Sequence, residues 1–107
     1  MSDMLTRICE LVDKRDVRIS DHGYDELVDD NIFIHEVLVG IKSAIVVEDY
    51  PDYPKGPCIL VVQKDSENHP IHVVWGIPKG HAAPAVLITA YRPDPEIWTD
   101  DYKRRKK

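Results

Sequence analysis

The chain has 107 residues, enough for one hydrophobic core and too few for two domains, and its 43% apolar content is that of an ordinary globule. It carries 19 acidic against 14 basic residues, a net charge of −5, which argues against general nucleic-acid binding through a broadly basic surface. No apolar run approaches the roughly 20 residues of a membrane span, and the first residues are mixed rather than basic then apolar, so no secretory signal, no membrane and a cytoplasmic location are expected.

Charge is unevenly placed. Five of the 14 basic residues form the tail 103–107, which leaves nine against 19 and a net of −10 for the rest. Such a body suits a basic protein partner; the tail is either a solvated end or a source of local phosphate contacts through Arg104 and Arg105. Cys9 and Cys58 stand far apart, make no zinc spacing, and are expected as reduced, buried thiols.

Residues 3–14 place Leu5, Ile8, Cys9 and Val12 at helical spacing, with Ser2 or Asp3 as the cap. Residues 16–19 read as a short extended connection. Ser20 then reads as the N-cap of a second helix reaching about Asp30, with Asp21 in its first turn and Tyr24, Leu27 and Val28 on the inner face. A third helical segment around 35–39 ends at Gly40, a C-cap. After it the period changes from 3.6 to 2. Four strands are expected at 44–50, 58–64, 71–77 and 85–91, and connections this short favour antiparallel neighbours. Residues 96–105 read as a short helix or an ordered end. The expectation is one α+β domain over 1–107, with N-terminal helices packed on a four-stranded, mainly antiparallel sheet.

Alternation sorts the strand faces. Ile71, Val73, Trp75 and Ile77 point one way, His72, Val74 and Gly76 the other. Val86, Ile88 and Ala90 oppose Ala85, Leu87, Thr89 and Tyr91, and Ala44, Val46, Glu48 and Tyr50 share a face. One accessible surface can thus carry Glu48, Tyr50, His72, Thr89 and Tyr91. Histidine and glutamate exchange protons near neutral pH, and tyrosine orients or stacks. His22 opens the second helix, where the dipole favours its neutral form and Asp25 or Glu26 can bond the ring. Each histidine also has a structural reading: His72 as a hydrogen-bonded sheet residue, His22 as a tie between helix and sheet. Arg18 and Arg92 are candidate clamps for an anionic substrate. Neither H-x-x-x-H nor H-E-x-x-H occurs, so no metal or other cofactor is expected, and there is no phosphate loop or G-x-S-x-G. Pro93-Asp94-Pro95 should aim Trp98 at a defined place, as core cover. His35, His69 and His81 are read as surface residues.

Arg18-x-Ser20-x-His22, then Glu48-Asp49-Tyr50-Pro51, then His72 within P-I-H-V-V, then Tyr91, Pro93, Asp94, Pro95 and Trp98 resemble, in that order, the small bacterial and archaeal domain-of-unknown-function family 4258, over about 18–105. That family is similar to RelE-type and BrnT-type toxins of type II toxin–antitoxin systems. The resemblance implies a compact sheet with N-terminal helices, a zinc-ribbon antitoxin as partner, and metal-independent cleavage of messenger RNA. His22, Glu48 and His72 would then share the acid and base roles, with Arg18, Tyr50, Tyr91 and Arg92 on the RNA. The alternative is a non-catalytic module that pairs with a small basic or zinc-ribbon protein.

Overall fold

The structure, a computed structural model, describes residues 3–106; the capping role considered for Ser2 and the last tail residue, Lys107, lie outside the described residues. Three helices and five strands follow in the order α1 (Asp3–Asp13), β1 (Val17–Ile19), α2 (Asp21–Asp29), α3 (Ile34–Gly40), β2 (Ile45–Tyr50), β3 (Cys58–Lys64), β4 (Pro70–Gly76) and β5 (Ala85–Tyr91). Helix α2 starts where local chemistry predicts, whereas α3 follows Phe33 with no side-chain cap. Ser20 caps α2, its hydroxyl accepting from the Gly23 amide at 2.9 Å and donating to the Ile88 carbonyl at 2.9 Å. That second bond ties the start of the helix to the sheet.

The sheet runs β1-β5-β4-β3-β2 and is mixed. Four strands meander antiparallel as expected, but the short connection at 17–19 is a fifth strand, parallel to β5. Asp16 accepts from the Ala85 amide and Ser20 donates to Leu87, each at 3.0 Å, which closes that edge.

All three helices contribute to one face of the sheet. Leu5, Ile8, Leu27, Val37 and Ile41 meet Ile59, Val61, Ile71, Val73, Trp75, Leu87 and Ala90 there. Cys9 lies on that side and Cys58 on the other, so the sheet separates two free thiols. Tyr24 and Val28, expected inside, are 61% and 63% exposed. Leu27 is inside as expected, and Gly23 takes the other inner position: a Cβ at residue 23 would stand 2.8 Å from the Leu87 carbonyl oxygen, and only glycine lets α2 sit that close. Gly40 is the last residue of α3 with ordinary helical φ, and a 3-10 turn (Ile41–Ser43) continues the chain.

Two bulges change the alternation. One at 46–48 turns Val46 towards the core while keeping Glu48 and Tyr50 on the far face. The other, where Val74 and Trp75 pair with Thr89 and Leu87, moves Ala90 to the helix side beside Ala85 and Leu87. Thr89 and Tyr91 therefore join Val86 on the far face.

Candidate functional site

The far face carries the residues that alternation singled out. His72 pairs with Val62 on one side and Tyr91 on the other, and Glu48 and Tyr50 lie along β2, two strands away. His72 has 0% exposure. Residues 93–106 run over it: the Trp98 ring stands edge-on at 4.4 Å, and the Tyr102 carbonyl oxygen lies 2.8 Å from Nε2. Nε2 must donate to that carbonyl, so Nδ1 accepts from the Tyr91 hydroxyl at 3.2 Å. Burial, opposed by the Tyr102 carbonyl, pushes the imidazole below its ordinary pKa. This histidine is neutral and bonded at both ring nitrogens.

Glu48 faces the tail. Arg105 donates to its Oε2 at 3.0 Å, and a second guanidinium nitrogen lies 2.9 Å from Oε1 without hydrogen-bond alignment. That hydrogen bond holds Glu48 below the usual carboxylate range, with burial opposing and Tyr50 reinforcing it. The same guanidinium sits 4.7 Å over the Trp98 ring. The tail is thus no frayed end at Arg105. Trp98, expected as core cover, covers the far face instead of the helix side.

His22 stands elsewhere. A cleft of about 390 Å³ opens on the far face at the other end of β4, lined by Gly76, Ile77, Val86 and Ile88 with Ser20, His22, Tyr53 and Lys55. Gly76 is four residues from His72, about 13 Å of extended chain. His22 is exposed, and its Nε2 lies 3.7 Å from Glu26, one helical turn on. Arg18 is exposed on the same face, paired with Val86 one strand further out. A smaller hollow lined by Tyr50, Tyr53, Cys58, Val74 and Ile88 shares Tyr53 and Ile88 with the cleft. Cleft and hollow share that border, and together they make a path from His22 to Tyr50. Among the described residues no three His, Cys, Asp or Glu side chains are grouped to hold a metal ion.

The family model described as "Domain of unknown function (DUF4258)" matches residues 19–92, most of the chain. The chain belongs to this family. No curated protein and no solved structure matches it.

The DUF4258 stretch holds α2, α3 and β2–β5, with His22, Glu48, Tyr50, His72, Tyr91 and Arg92. Arg18 and the whole cover, residues 93–106, lie outside it. Arg92 points away from both clusters. Its Nη1 donates to Asp65 at 2.9 Å and its Nε to the Asp30 carbonyl at 3.2 Å, while its amide donates to the Asp30 carboxylate at 2.8 Å. It pins the end of α2 and the β3–β4 hairpin to the end of β5. Burial alone would raise the Asp65 pKa, but the His69 amide, the Arg92 guanidinium and the Glu67 amide bring it below the usual range. Asp65→Ala should cost about 1–2 kcal/mol by removing that hairpin's acceptor. Urea denaturation checks this, and an unchanged midpoint would show that the tie contributes nothing.

Sequence reasoning missed Tyr53 and Lys55. Both sit in a Pro/Gly loop, and only the pairing of β3 with β4 brings that loop against 77–79, where the Lys79 amide donates to the Lys55 carbonyl at 3.0 Å. The Y-P-K-G-P run was the available signal: an aromatic and a cation fixed between turn residues.

Proposed function

We propose that this DUF4258 protein is a toxin-like endoribonuclease of a type II toxin–antitoxin system, acting on messenger RNA at the His22 cleft. The observation that carries the reading is an exposed histidine, a lysine and a tyrosine on one apolar cleft of small-ligand size. The reaction class is the one that the sequence resemblance implies, cleavage of messenger RNA by a toxin of RelE or BrnT type.

His22 takes the proton of a ribose 2′-hydroxyl, with Glu26 steadying the imidazolium that forms. The 2′-oxygen bonds to phosphorus as the bond to the 5′-oxygen breaks, and the Tyr53 phenol returns a proton to that leaving oxygen. Lys55 and Arg18 carry the phosphate charge, and Tyr50 offers a base-stacking surface further along the path. The products are a 2′,3′-cyclic phosphate and a 5′-hydroxyl. Glu48, His72 and Tyr91 serve the far end of the same face.

His22→Gln should lower RNA cleavage about 100-fold or more, the ordinary worth of a positioned base, and should relieve growth arrest on expression. RNA left without cyclic-phosphate ends by the unaltered protein would overturn the reading.

A second reading has its own observation. Tyr24 and Val28 project from α2 beside Asp25 and Asp29, which make no ion pair among the described residues. That surface fits a small basic protein such as a zinc-ribbon antitoxin. A stoichiometric basic companion on purification, without RNA cleavage, would favour binding alone.

A further inference from the structure

Residues 93–106 are held differently from the rest of the far face. They close on themselves: the Thr99 amide donates to Arg104 at 2.8 Å, Lys106 to Ile97 at 2.7 Å, and Trp98 bridges to Arg105. No strand ladder joins them to the sheet. Among the described residues their polar ties to β2–β5 are those of Arg105 to Glu48 and Tyr50 and of the Tyr102 carbonyl to His72. Trp98 adds an apolar contact, and a gap of about 120 Å³ remains beneath 100–103, against Ile45, Val62 and Pro70. The family match stops at Arg92, where this segment begins.

The segment also concentrates positive charge. Lys103, Arg104, Arg105 and Lys106 are all exposed, on a chain whose first 102 residues are net acidic. Arg105 alone among them spends its guanidinium on the sheet, through an ion pair at the rim of the cover: its side chain is 57% exposed, and that of Glu48 is 28% exposed with Oε1 itself buried. A phosphate offers that guanidinium the same two-pronged acceptor as a carboxylate. Losing the pair would free the end of the segment that holds Trp98 over His72.

We infer that residues 93–106 are a latch, which single-stranded nucleic acid opens by drawing Arg105 from Glu48 to its own phosphates. The inference rests on the nuclease reading and concerns the regulation of that site. Opening uncovers Val62 and His72 and extends the path from the His22 cleft along the whole far face. A long strand then meets a longer surface than a mononucleotide does, so the enzyme favours polymers over free nucleotides.

The experiment uses the full chain and an eight-residue 2′-O-methyl oligouridylate, which has no free 2′-hydroxyl and cannot be cleaved. Hydrogen exchange of the Thr99 and Lys106 amides reads the latch. The oligonucleotide should speed both by about fivefold or more while the β3 and β4 amides stay slow, the pattern of a local opening. Glu48→Gln should do the same without ligand, and should tighten oligonucleotide binding by about threefold because the opening cost is removed. Glu10→Gln removes the same charge from α1 and should do neither. Latch amides that slow or hold on binding, a silent Glu48→Gln, or an equal gain from Glu10→Gln would each overturn the latch. An oligonucleotide that binds none of these proteins overturns latch and nuclease together; RNA cleavage with an unresponsive latch overturns the latch alone.

Discussion

Gly56→Ala should be among the most damaging single methyl additions in this chain, costing about 3 kcal/mol or more, the range of strain and overpacking at a special backbone position. Gly56 has φ +134°, and a Cβ there would lie 2.1 Å from the Ile77 carbonyl oxygen and 2.7 Å from the Lys79 nitrogen. These are backbone atoms, so no side chain can swing aside. The loop must leave 77–79 and break the bonds from Lys79 to Lys55 and from Ile77 to Pro57, at 3.0 and 3.1 Å. Those bonds place Tyr53 and Lys55 on the cleft, so the variant should lose the cleft wall along with stability. Gly80→Ala is the control. It shares a positive φ, +79°, but a Cβ there meets nothing within 4 Å, and only the cost of about 1 kcal/mol for a left-handed alanine applies. Chemical denaturation of the two variants separates steric from conformational cost; equal midpoints would show that the loop gives way easily.

The two glycines also show what a sequence can and cannot carry. Both were readable as turn residues, yet only the register of β3 on β4 tells which one another backbone approaches. The same division runs through the fold. Ser20 announced its helix because a cap acts within three residues, and β3 to β5 announced themselves by apolar runs between turn residues. Strand β1 did not: three residues with two apolar side chains are too short to show a period, and its parallel partner lies 68 residues on. The bulges at 46–48 and 87–89 each inverted a phase that strict alternation would have carried through. Even so, Glu48, Tyr50, His72 and Tyr91 share the far face, because the residues after each bulge were the ones alternation had placed there. Arg92 illustrates the opposite limit. A guanidinium is the right chemistry for phosphate and equally for Asp65, and sequence does not say which acceptor is near. His22 and His72 were both legible as special, but not that they stand at opposite ends of one face. Nor was it legible that the chain's own tryptophan and arginine cover one and leave the other open.

His72→Ala should cost about 3 kcal/mol, the usual price of deleting a fully buried ring together with its hydrogen bonds. The deletion leaves the Tyr102 carbonyl and the Tyr91 hydroxyl without their partner and opens a void under Trp98, whose emission should shift to the red while Trp75 stays buried. The same histidine sets a pH dependence. Burial is the main cause of its lowered pKa, and Arg105 adds to it against the Tyr102 carbonyl. The folded protein therefore holds the proton less tightly than the unfolded chain does. Between the unfolded value of about 6.5 and the lower folded value the unfolded state binds more protons, so stability is full above about pH 6.5 and falls as pH drops below it. Glu48 and Asp65, whose folded values are lowered carboxylate values, act only further down, as pH falls through about 4.5. The other four histidines are exposed. Melting temperature should therefore decline from pH 7 to pH 5 in the unaltered protein and stay level over that interval in His72→Gln, whose amide can still donate to Tyr102. A level profile in both proteins would mean that the buried ring accepts its proton without cost. The neutral, doubly bonded imidazole would then no longer be what fixes Trp98 and the latch in place.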